Sequence, residues 1–535
     1  MIRPETVLHI LLRMIINKWN KLHSLVTIME ADVENNLFER LKHYFYSFVR
    51  ISMLITFSLI VYYTVADMAG PYLTYSRGDL FGNKQWVLRS YFLIFVYVCF
   101  LLIMSKAPFL SWNKIVERVV VCLFLLFCIF ASYYFANDGL YEISVVNDAA
   151  QAIVSGKDLD TSYLDFLSRY NYIRAVTCYA AIWYKIGGKA IVSLAVCGGM
   201  TLGFWVCLQI LKLCKGNNSS LWVCSGLFYI SVPIFLSCSI FYNYTVVFWM
   251  PVTILYLYML LQKEPERKKR LTYYGLIIVI ASMGTSVFTV VAVPVIAVVI
   301  DMILNRKKEA VLLGIAVLFG TIMINKITYR VIDESLYNNN DLQVLIEKNE
   351  IPMFLSTMYT GLNYDSLGLY TNEDLAYVLS LDTYEEKVEG CTEQIKNRLS
   401  IGSDLPSFLF RKSSVNFGQG TYYTEAVSNN RLLTERSVIR FFSQDFPQVV
   451  YYRSFFCAMN IIFLCLMLWL IKKRYENFNL MYLTMFGVWM VSLICETDSR
   501  HIFPYLPLFI VMSAYAISIL ASNYLESERV MIWKK

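Results

Sequence analysis

Charged residues are scarce in this chain. They make up 16% of the 535 residues, whereas soluble globular proteins have about 25%. Apolar residues make up 57%, which excludes a soluble enzyme and a disordered protein. The four His and 13 Cys show no C-x-x-C or Cys/His spacing, so neither a zinc site nor a disulfide framework is predicted. A Walker A loop is also absent, which excludes ATP as the driving ligand.

The apolar residues fall into continuous runs of about 16–22 residues, the length that crosses a hydrocarbon core of about 30 Å. These runs predict an all-α polytopic membrane protein with about twelve transmembrane helices. Gly284 and Pro294 leave open whether the seventh and eighth runs form two helices or one broken helix. The predicted spans are 48–67, 90–105, 119–135, 190–213, 219–239, 243–261, 272–286, 288–304, 310–325, 451–471, 479–495 and 503–521.

Basic residues cluster in short loops between the runs, and this pattern predicts the orientation. Loops rich in Lys and Arg stay in the cytoplasm. The net charge of +7 is therefore a topology signal and not a nucleic-acid-binding surface. We predict a multi-pass protein of the cell membrane with both termini in the cytoplasm. The basic loops on that side are 106–118, 212–219, 263–270, 306–308 and 472–474.

This topology divides the chain into two membrane modules and two more polar parts. The apolar stretch near 175–188 is too short to span, and it suits a helix that lies on the membrane or dips into it. The net acidic large loop contains predicted helices at 340–349, 372–380 and 384–399. The parts are a cytoplasmic amphipathic lead-in without a cleavable signal peptide (1–47), an N-terminal transmembrane module (48–325) with an outer loop (136–189), a large extracytoplasmic loop (326–450), and a C-terminal transmembrane module with a cytoplasmic tail (451–535).

Three acids stand at the start of the first outer loop, close to the membrane. Asp138, Glu142 and Asp148 lie within eleven positions, and Asp138 and Glu142 share a face if this stretch is helical. A carboxyl group in such a position can have a raised pKa and act as a general base. The same spacing also suits a solvated acidic loop, so spacing alone leaves both interpretations open.

An ordered set of residues runs through both outer loops and reaches the last span. In the first loop the residues are Glu142, Val146, Ala149, Ala150, Gly156, Tyr170–Tyr172 and Tyr184–Gly188. In the large loop they are Pro352, Met358–Leu362, Gly368–Tyr370, Asp374, Thr383–Lys387, Ile395–Leu399, Phe408, Phe410, Lys412 and Gly420–Thr421. The last members are Glu496 and Arg500–Pro504.

This set resembles membrane glycosyltransferases of the C superfamily (GT-C). The resemblance is narrower to the family 39-like, protein-mannosyltransferase-related enzymes of Gram-positive bacteria. It implies a GT-C-like fold, a sugar donor on polyprenyl phosphate, a hydroxyl acceptor on an extracytoplasmic glycan or similar molecule, and inversion at the anomeric carbon. Glu142 occupies the position of the catalytic acid, which is usually Asp in relatives. No resident cofactor and no metal ligand are predicted, although a divalent cation is left open.

The sequence also departs from the pattern of that family. Asn171 replaces the Pro of an aromatic-Pro step. Relatives often carry a second acid in a Tyr-Thr-Asp step, whereas this chain reads Tyr242-Asn243-Tyr244-Thr245. Asp148 is a candidate substitute for that acid, and changed or lost activity are the alternatives.

Four cationic residues are candidates for binding the donor phosphate. Arg500 and His501 precede a late span, where a lipid phosphate would lie, and Arg offers a bidentate fork. Arg174 begins the short apolar stretch, and Lys412 lies in the large loop. Arg500 also has a simpler interpretation as a snorkelling side chain at the interface, and Arg174 as a surface charge. Lys412, with Arg411, is predicted to close over the site from the large loop.

Three other functions share parts of this pattern. A transporter of lipid-linked glycans needs charges in the middle of several spans and inverted repeats, and the sequence shows neither. A polysaccharide polymerase or ligase shares the many helices and one large outer loop, but the His residues usual in that loop are missing here. An inactive scaffold is the third alternative. The lipid-linked sugar transferase is the function predicted from the sequence.

Overall fold

The computed structural model consists of helices and their connections, and no strand occurs in the parts of the chain that it describes. Those parts are residues 31–69, 84–107, 110–135, 141–157, 159–237, 246–337, 341–400, 405–418 and 447–533.

The helices of the first half are α1 Ala31–Ala69, α2 Lys84–Met104, α3 Lys114–Phe135, α4 Tyr141–Ser155, α5 Thr161–Arg169, α6 Asn171–Leu213, α7 Asn218–Ser237, α8 Met250–Leu261, α9 Arg267–Val287, α10 Ala292–Leu304 and α11 Glu309–Leu336. Those of the second half are α12 Asp341–Asn349, α13 Met353–Gly361, α14 Asn372–Leu379, α15 Tyr384–Ser400, α16 Leu405–Gly418, α17 Pro447–Lys472, α18 Asn479–Ile494 and α19 Leu506–Trp533. Short 3₁₀ helices cover Thr289–Val291, Glu476–Phe478 and Ser499–Tyr505.

Ten described helices are long and apolar enough to cross a membrane, which confirms the predicted all-α polytopic architecture. The other two of the twelve predicted spans, 243–261 and 288–304, correspond to shorter apolar helices. These are Met250–Leu261 and Thr289–Leu304. Pro251 lies in the first turn of α8, and a 3₁₀ turn precedes α10, so both helices are shorter than the apolar runs that contain them.

The seventh and eighth apolar runs are two helices and not one. Phe288 has an extended backbone, with φ −153° and ψ 106°, and it ends α9. A 3₁₀ turn then leads into α10. A second break lies within α6, where Gly187 and Gly188 leave helical geometry and Gly188 has φ +67°. The short apolar stretch before these glycines is therefore a helical piece of its own, joined by a kink to a longer apolar helix.

Residues 341–400 and 405–418, called here the 341–418 segment, contain five helices. The three helices predicted there are confirmed as α12, α14 and α15, while α13 and α16 were not predicted. The C-terminal half of α16 is buried from Lys412 to Gly418. Its Phe417 packs edge-to-face on Phe57 of α1, with 5.2 Å between the ring centroids. The segment is therefore anchored in the helix bundle and does not merely lie beside it.

A buried carboxylate joins α1, α8 and α10. Asp301 is 5% exposed and accepts hydrogen bonds from the hydroxyls of Tyr46 and Tyr258. The side-chain amides of Gln262 and Asn305 also donate to it, each at 2.9 Å. Because its donors lie on α1, at the end of α8 and just after its own helix α10, Asp301 connects the three helices as an internal acceptor.

Replacing Asp301 by Ala is expected to destabilise the protein, since several buried donors would lose their acceptor. Each donor left unsatisfied costs roughly 1–3 kcal/mol. Asp301→Asn should be milder, because one acceptor oxygen remains. Thermal unfolding of the detergent-purified protein measures the difference. An unchanged unfolding midpoint for Asp301→Ala would contradict the structural role.

The orientation predicted from the basic loops can be tested at exposed positions. Single cysteines replacing Asp160 and Ala376 should react with a membrane-impermeant maleimide in intact cells, because both positions are predicted to lie outside. Cysteines replacing Arg267 and Arg474 should react only after the cells are opened. All four positions are exposed in the fold. Labelling of position 267 in intact cells would contradict the topology.

Candidate functional site

The turn that enters the last span carries a cluster of buried charges. This turn, residues 495–501, follows α18 and includes the start of the 3₁₀ helix Ser499–Tyr505. Glu496 is 9% exposed and Asp498 is 4% exposed. The Arg500 Nε lies 2.6 Å from Asp498 Oδ2, and its Nη2 lies 3.8 Å from Glu496 Oε1. Asp498 also accepts from the Arg500 backbone N–H at 2.9 Å, so this carboxylate fixes the start of the 3₁₀ helix.

The same turn touches the break between α9 and α10. The His501 and Phe288 rings lie 5.9 Å apart between centroids. The Tyr505 hydroxyl donates to the Val290 carbonyl at 2.6 Å. The extended residue that ends α9 therefore meets the charged turn, and a hydrogen bond in the following helical turn fixes the contact.

Lys412 reaches the turn from α16. Its side chain is fully buried, and its Nζ donates to the Gly361 carbonyl at 2.5 Å. Burial lowers the pKa of Lys412 from 10.5 to about 7, while the nearby Cys495 and Glu496 raise it in part. Lys412 also acts electrostatically on His501. Lys412 and Arg500 therefore both lie near Glu496, and His501 follows Arg500 in the same turn.

The lowered pKa of Lys412 predicts a pH dependence of stability. In the unfolded chain this amine keeps an ordinary pKa of about 10.4. Between about pH 7 and 10 the unfolded chain therefore binds one more proton than the folded protein. The stability contribution of this residue then rises with pH, by roughly 1 kcal/mol per pH unit. Below pH 7 both states are protonated, so the cost of burying the charge is fully present.

Thermal unfolding of purified protein at pH 7 and pH 9 tests this sign. Lys412→Met should be stabilised relative to the wild type at pH 7, and this advantage should shrink toward pH 9. Lys396→Met is the matched control, because Lys396 is an exposed lysine of the same segment. Equal pH dependence in the wild type and Lys412→Met would contradict the lowered pKa.

Arg174, the fourth predicted cation, lies in a different contact. It is 5% exposed and donates to the Leu167 and Ser168 carbonyls at 3.0 and 3.2 Å. Its Nη2 forms an ion pair with Glu350 at 3.0 Å. The structure therefore places Arg174 between the region of the first predicted outer loop and the 341–418 segment, and it does not bring Arg174 into the charged turn.

The three predicted acids belong to α4 or to the residues before it. Asp138 and the side chain of Glu142 lie outside the described residues. The backbone of Glu142 is in the first turn of α4, one turn before the buried Val146. Asp148 is exposed, whereas Asn147 beside it is 9% exposed and its Oδ1 has no hydrogen-bond partner among the described residues. Position 142 thus precedes a buried helical face, and Asp148 faces solvent or lipid.

Two features of the site were not recognised from the sequence. Asp498 is the closest carboxylate partner of Arg500, and Thr497 joins the turn to the 341–418 segment. The alternation of Glu496, Asp498 and Arg500 immediately before an apolar span was a signal that could have revealed them. Within the described residues, no group of three or more His, Cys, Asp and Glu side chains is arranged to hold a metal ion.

The long apolar helices and the charged turn between them define a multi-pass integral membrane protein. The model of a family described as conserved hypothetical integral membrane protein matches residues 216–520, more than half of the chain. The chain belongs to this family. The match includes the 341–418 segment and the 495–501 turn, whereas Glu142 lies outside it. No curated protein and no solved structure matches the chain.

Proposed function

We propose that this integral membrane protein transfers a sugar from a polyprenyl-phosphate donor to a hydroxyl acceptor on the outer face of the membrane. The observation that carries the proposal is the meeting of Lys412, Arg500 and His501 at the entrance to the last span. These residues come from parts of the chain almost 90 positions apart, and each was a candidate phosphate ligand on sequence alone. The ordered resemblance to GT-C enzymes supports the same function.

In the proposed reaction Glu142 is the general base. It removes the proton of the acceptor hydroxyl while the acceptor oxygen attacks the anomeric carbon from the face opposite the phosphate. The bond between the anomeric carbon and the phosphate oxygen breaks, and its electron pair leaves with the polyprenyl phosphate. The configuration at the anomeric carbon inverts. A base positioned in this way contributes roughly 10²–10⁴-fold to the rate.

The leaving phosphate gains negative charge, and cations near it lower the barrier. Arg500 supplies a planar fork of donors that matches a phosphate, and the 18% exposure of its side chain leaves it reachable. Asp498 holds one edge of this guanidinium, which fixes its plane. Lys412 is a compact donor buried behind the turn, and one of its N–H groups already donates to the Gly361 carbonyl. Approach of an anionic phosphate would favour the protonated form of this amine.

Photolabelling tests whether the charged turn binds the donor phosphate. A polyprenyl phosphate that carries a diazirine near its phosphate is applied to the protein in lipid nanodiscs, and labelled peptides are located by mass spectrometry. Labels should map to peptides containing residues 495–501 and 405–418, and unlabelled polyprenyl phosphate should compete. Arg500→Gln should weaken the labelling, while Arg474→Gln, in an exposed loop, should not. Labelling that is insensitive to Arg500→Gln would overturn this assignment.

A further inference from the structure

The 341–418 segment forms hydrogen bonds with one residue of the charged turn, Thr497. The Thr497 N–H donates to the Gly368 carbonyl at 2.7 Å. The Thr497 hydroxyl donates to the Leu367 carbonyl, also at 2.7 Å. Lys412 completes the contact through its bond to the Gly361 carbonyl. Three hydrogen bonds therefore connect residues 361–368 with the turn and with α16, and Thr497 itself is 1% exposed.

Two glycines allow this close approach. A Cβ at Gly361 would overlap the Cys495 carbonyl group and lie 2.6 Å from the Ile494 carbonyl oxygen. A Cβ at Gly368 would lie 2.7 Å from Thr497 Oγ1, and Gly368 has φ +73°, which favours glycine. The atoms in the way are backbone atoms at Gly361, and at Gly368 they include the Thr497 hydroxyl that makes the contact. A rotamer change of a neighbouring side chain would therefore not make room for a Cβ at either glycine without loss of the contact.

The loop that makes this contact is itself fixed by the 341–418 segment. The Asn363 amide donates to Asp374 at 3.0 Å, and Asp374 pairs with Arg398 at 2.7 Å. Arg398 also donates to the Tyr359 carbonyl and lies over the Tyr359 ring. A displacement of α14 or α15 is therefore carried through buried polar contacts to residues 361–368, and from there to Thr497.

We propose that Gly361, Gly368 and Thr497 form a latch that positions the Glu496–Arg500 charges according to the docking of the 341–418 segment. These three are positioning residues, because they act on the donor phosphate only through the turn. The latch couples the 341–418 segment to the charged turn, so that the two move together. A change in the position of the segment therefore alters donor binding at Arg500. The effect on donor binding rests on the proposed function, whereas the contacts that form the latch do not.

Hydrogen–deuterium exchange of the full-length protein in nanodiscs tests the geometry without any sugar transfer. Thr497→Val removes the hydroxyl bond, and Gly361→Ala forces the backbones apart. In both variants, amides of residues 495–501 should exchange at least about tenfold faster, which corresponds to the loss of a net hydrogen bond. Gly275→Ala is the matched control, because Gly275 lies on α9, outside the 341–418 segment, and nothing lies within 4 Å of a Cβ at that position. Unchanged exchange in both latch variants would overturn the latch.

The coupling has its own measurement, photolabelling by the diazirine polyprenyl phosphate at a series of concentrations. Thr497→Val should raise the half-saturating concentration severalfold while the maximal labelling stays the same, and Thr497→Ser should restore it. A variant that is merely less stable would lose maximal labelling and keep the same half-saturating concentration. If Thr497→Val shows faster amide exchange in residues 495–501 but an unaltered half-saturating concentration, the latch stands and the coupling to donor binding is overturned. If the wild type is not labelled at the turn, the proposed function fails, and the exchange result alone decides the latch.

Discussion

Glu142→Gln is expected to lower sugar transfer roughly 10²–10⁴-fold, with the protein still produced and inserted. The amide keeps the size of the carboxylate but cannot accept the proton of the acceptor hydroxyl. Glu142→Asp should retain part of the activity, because the base chemistry remains and only its reach shortens by one methylene. Initial rates with a radiolabelled polyprenyl-phosphate sugar measure all three proteins.

Two neighbouring acids are the controls for this experiment. Asp148→Asn should have a small effect, since Asp148 is exposed on α4. Asp138→Asn should also have less effect than Glu142→Gln. A loss at Asp148 as large as that at Glu142 would instead support a site with two acids, which compensates for the carboxylate missing near Asn243. Wild-type turnover in Glu142→Gln would remove the central residue of the proposed mechanism.

Arg500→Gln should reduce kcat/KM for the donor by about 10- to 100-fold, the effect of losing charge-assisted hydrogen bonds to a phosphate. Arg500→Lys should fall between Gln and the wild type, because it keeps the charge and loses the fork. Arg500→Gln also removes the ion pair with Asp498, whose carboxylate is 4% exposed. Removal of one member of a buried pair costs about 3–5 kcal/mol. Thermal unfolding must therefore accompany the kinetics.

The control for Arg500 is the same substitution at Arg474, which is exposed in the connection between α17 and α18. Arg474→Gln should keep wild-type kinetics and stability. The informative outcome is an Arg500→Lys protein with an unfolding midpoint near that of the wild type and a clearly lower kcat/KM. Wild-type kinetics in a folded Arg500→Gln protein would show that the turn does not bind the reacting phosphate.

The helical architecture could be predicted because spans are encoded locally. A continuous apolar run of the right length is enough to indicate a helix, and all twelve runs correspond to apolar helices, ten of them of spanning length. The helices α12, α14 and α15 were also predictable, since each is polar and amphipathic over its own length. In contrast, α16 begins with Leu405-Pro406 and is buried by contacts with distant residues such as Phe57, which no local pattern indicates.

The candidate site was predictable only in part, and for a similar reason. Arg500 and His501 stood out because they precede a late span, where a lipid phosphate would lie, and the structure places Lys412 near the same turn. The partners of these cations depend on tertiary contacts: Gly361 for Lys412 and Glu350 for Arg174. The sequence could not show that Arg174 pairs with Glu350, away from the charged turn, because this contact joins residues 176 positions apart.

The most direct measurement of the proposed function is donor discharge by the purified protein in nanodiscs, supplied with membranes as the source of acceptor. A panel of radiolabelled polyprenyl-phosphate sugars is compared between the wild type and Glu142→Gln. We expect the wild type to release polyprenyl phosphate from at least one donor. The labelled sugar should be recovered on the acceptor, with the configuration at its anomeric carbon inverted, and Glu142→Gln should lose this activity. Equal discharge by both proteins, or no discharge of any donor by a folded wild type, would contradict the proposed transferase.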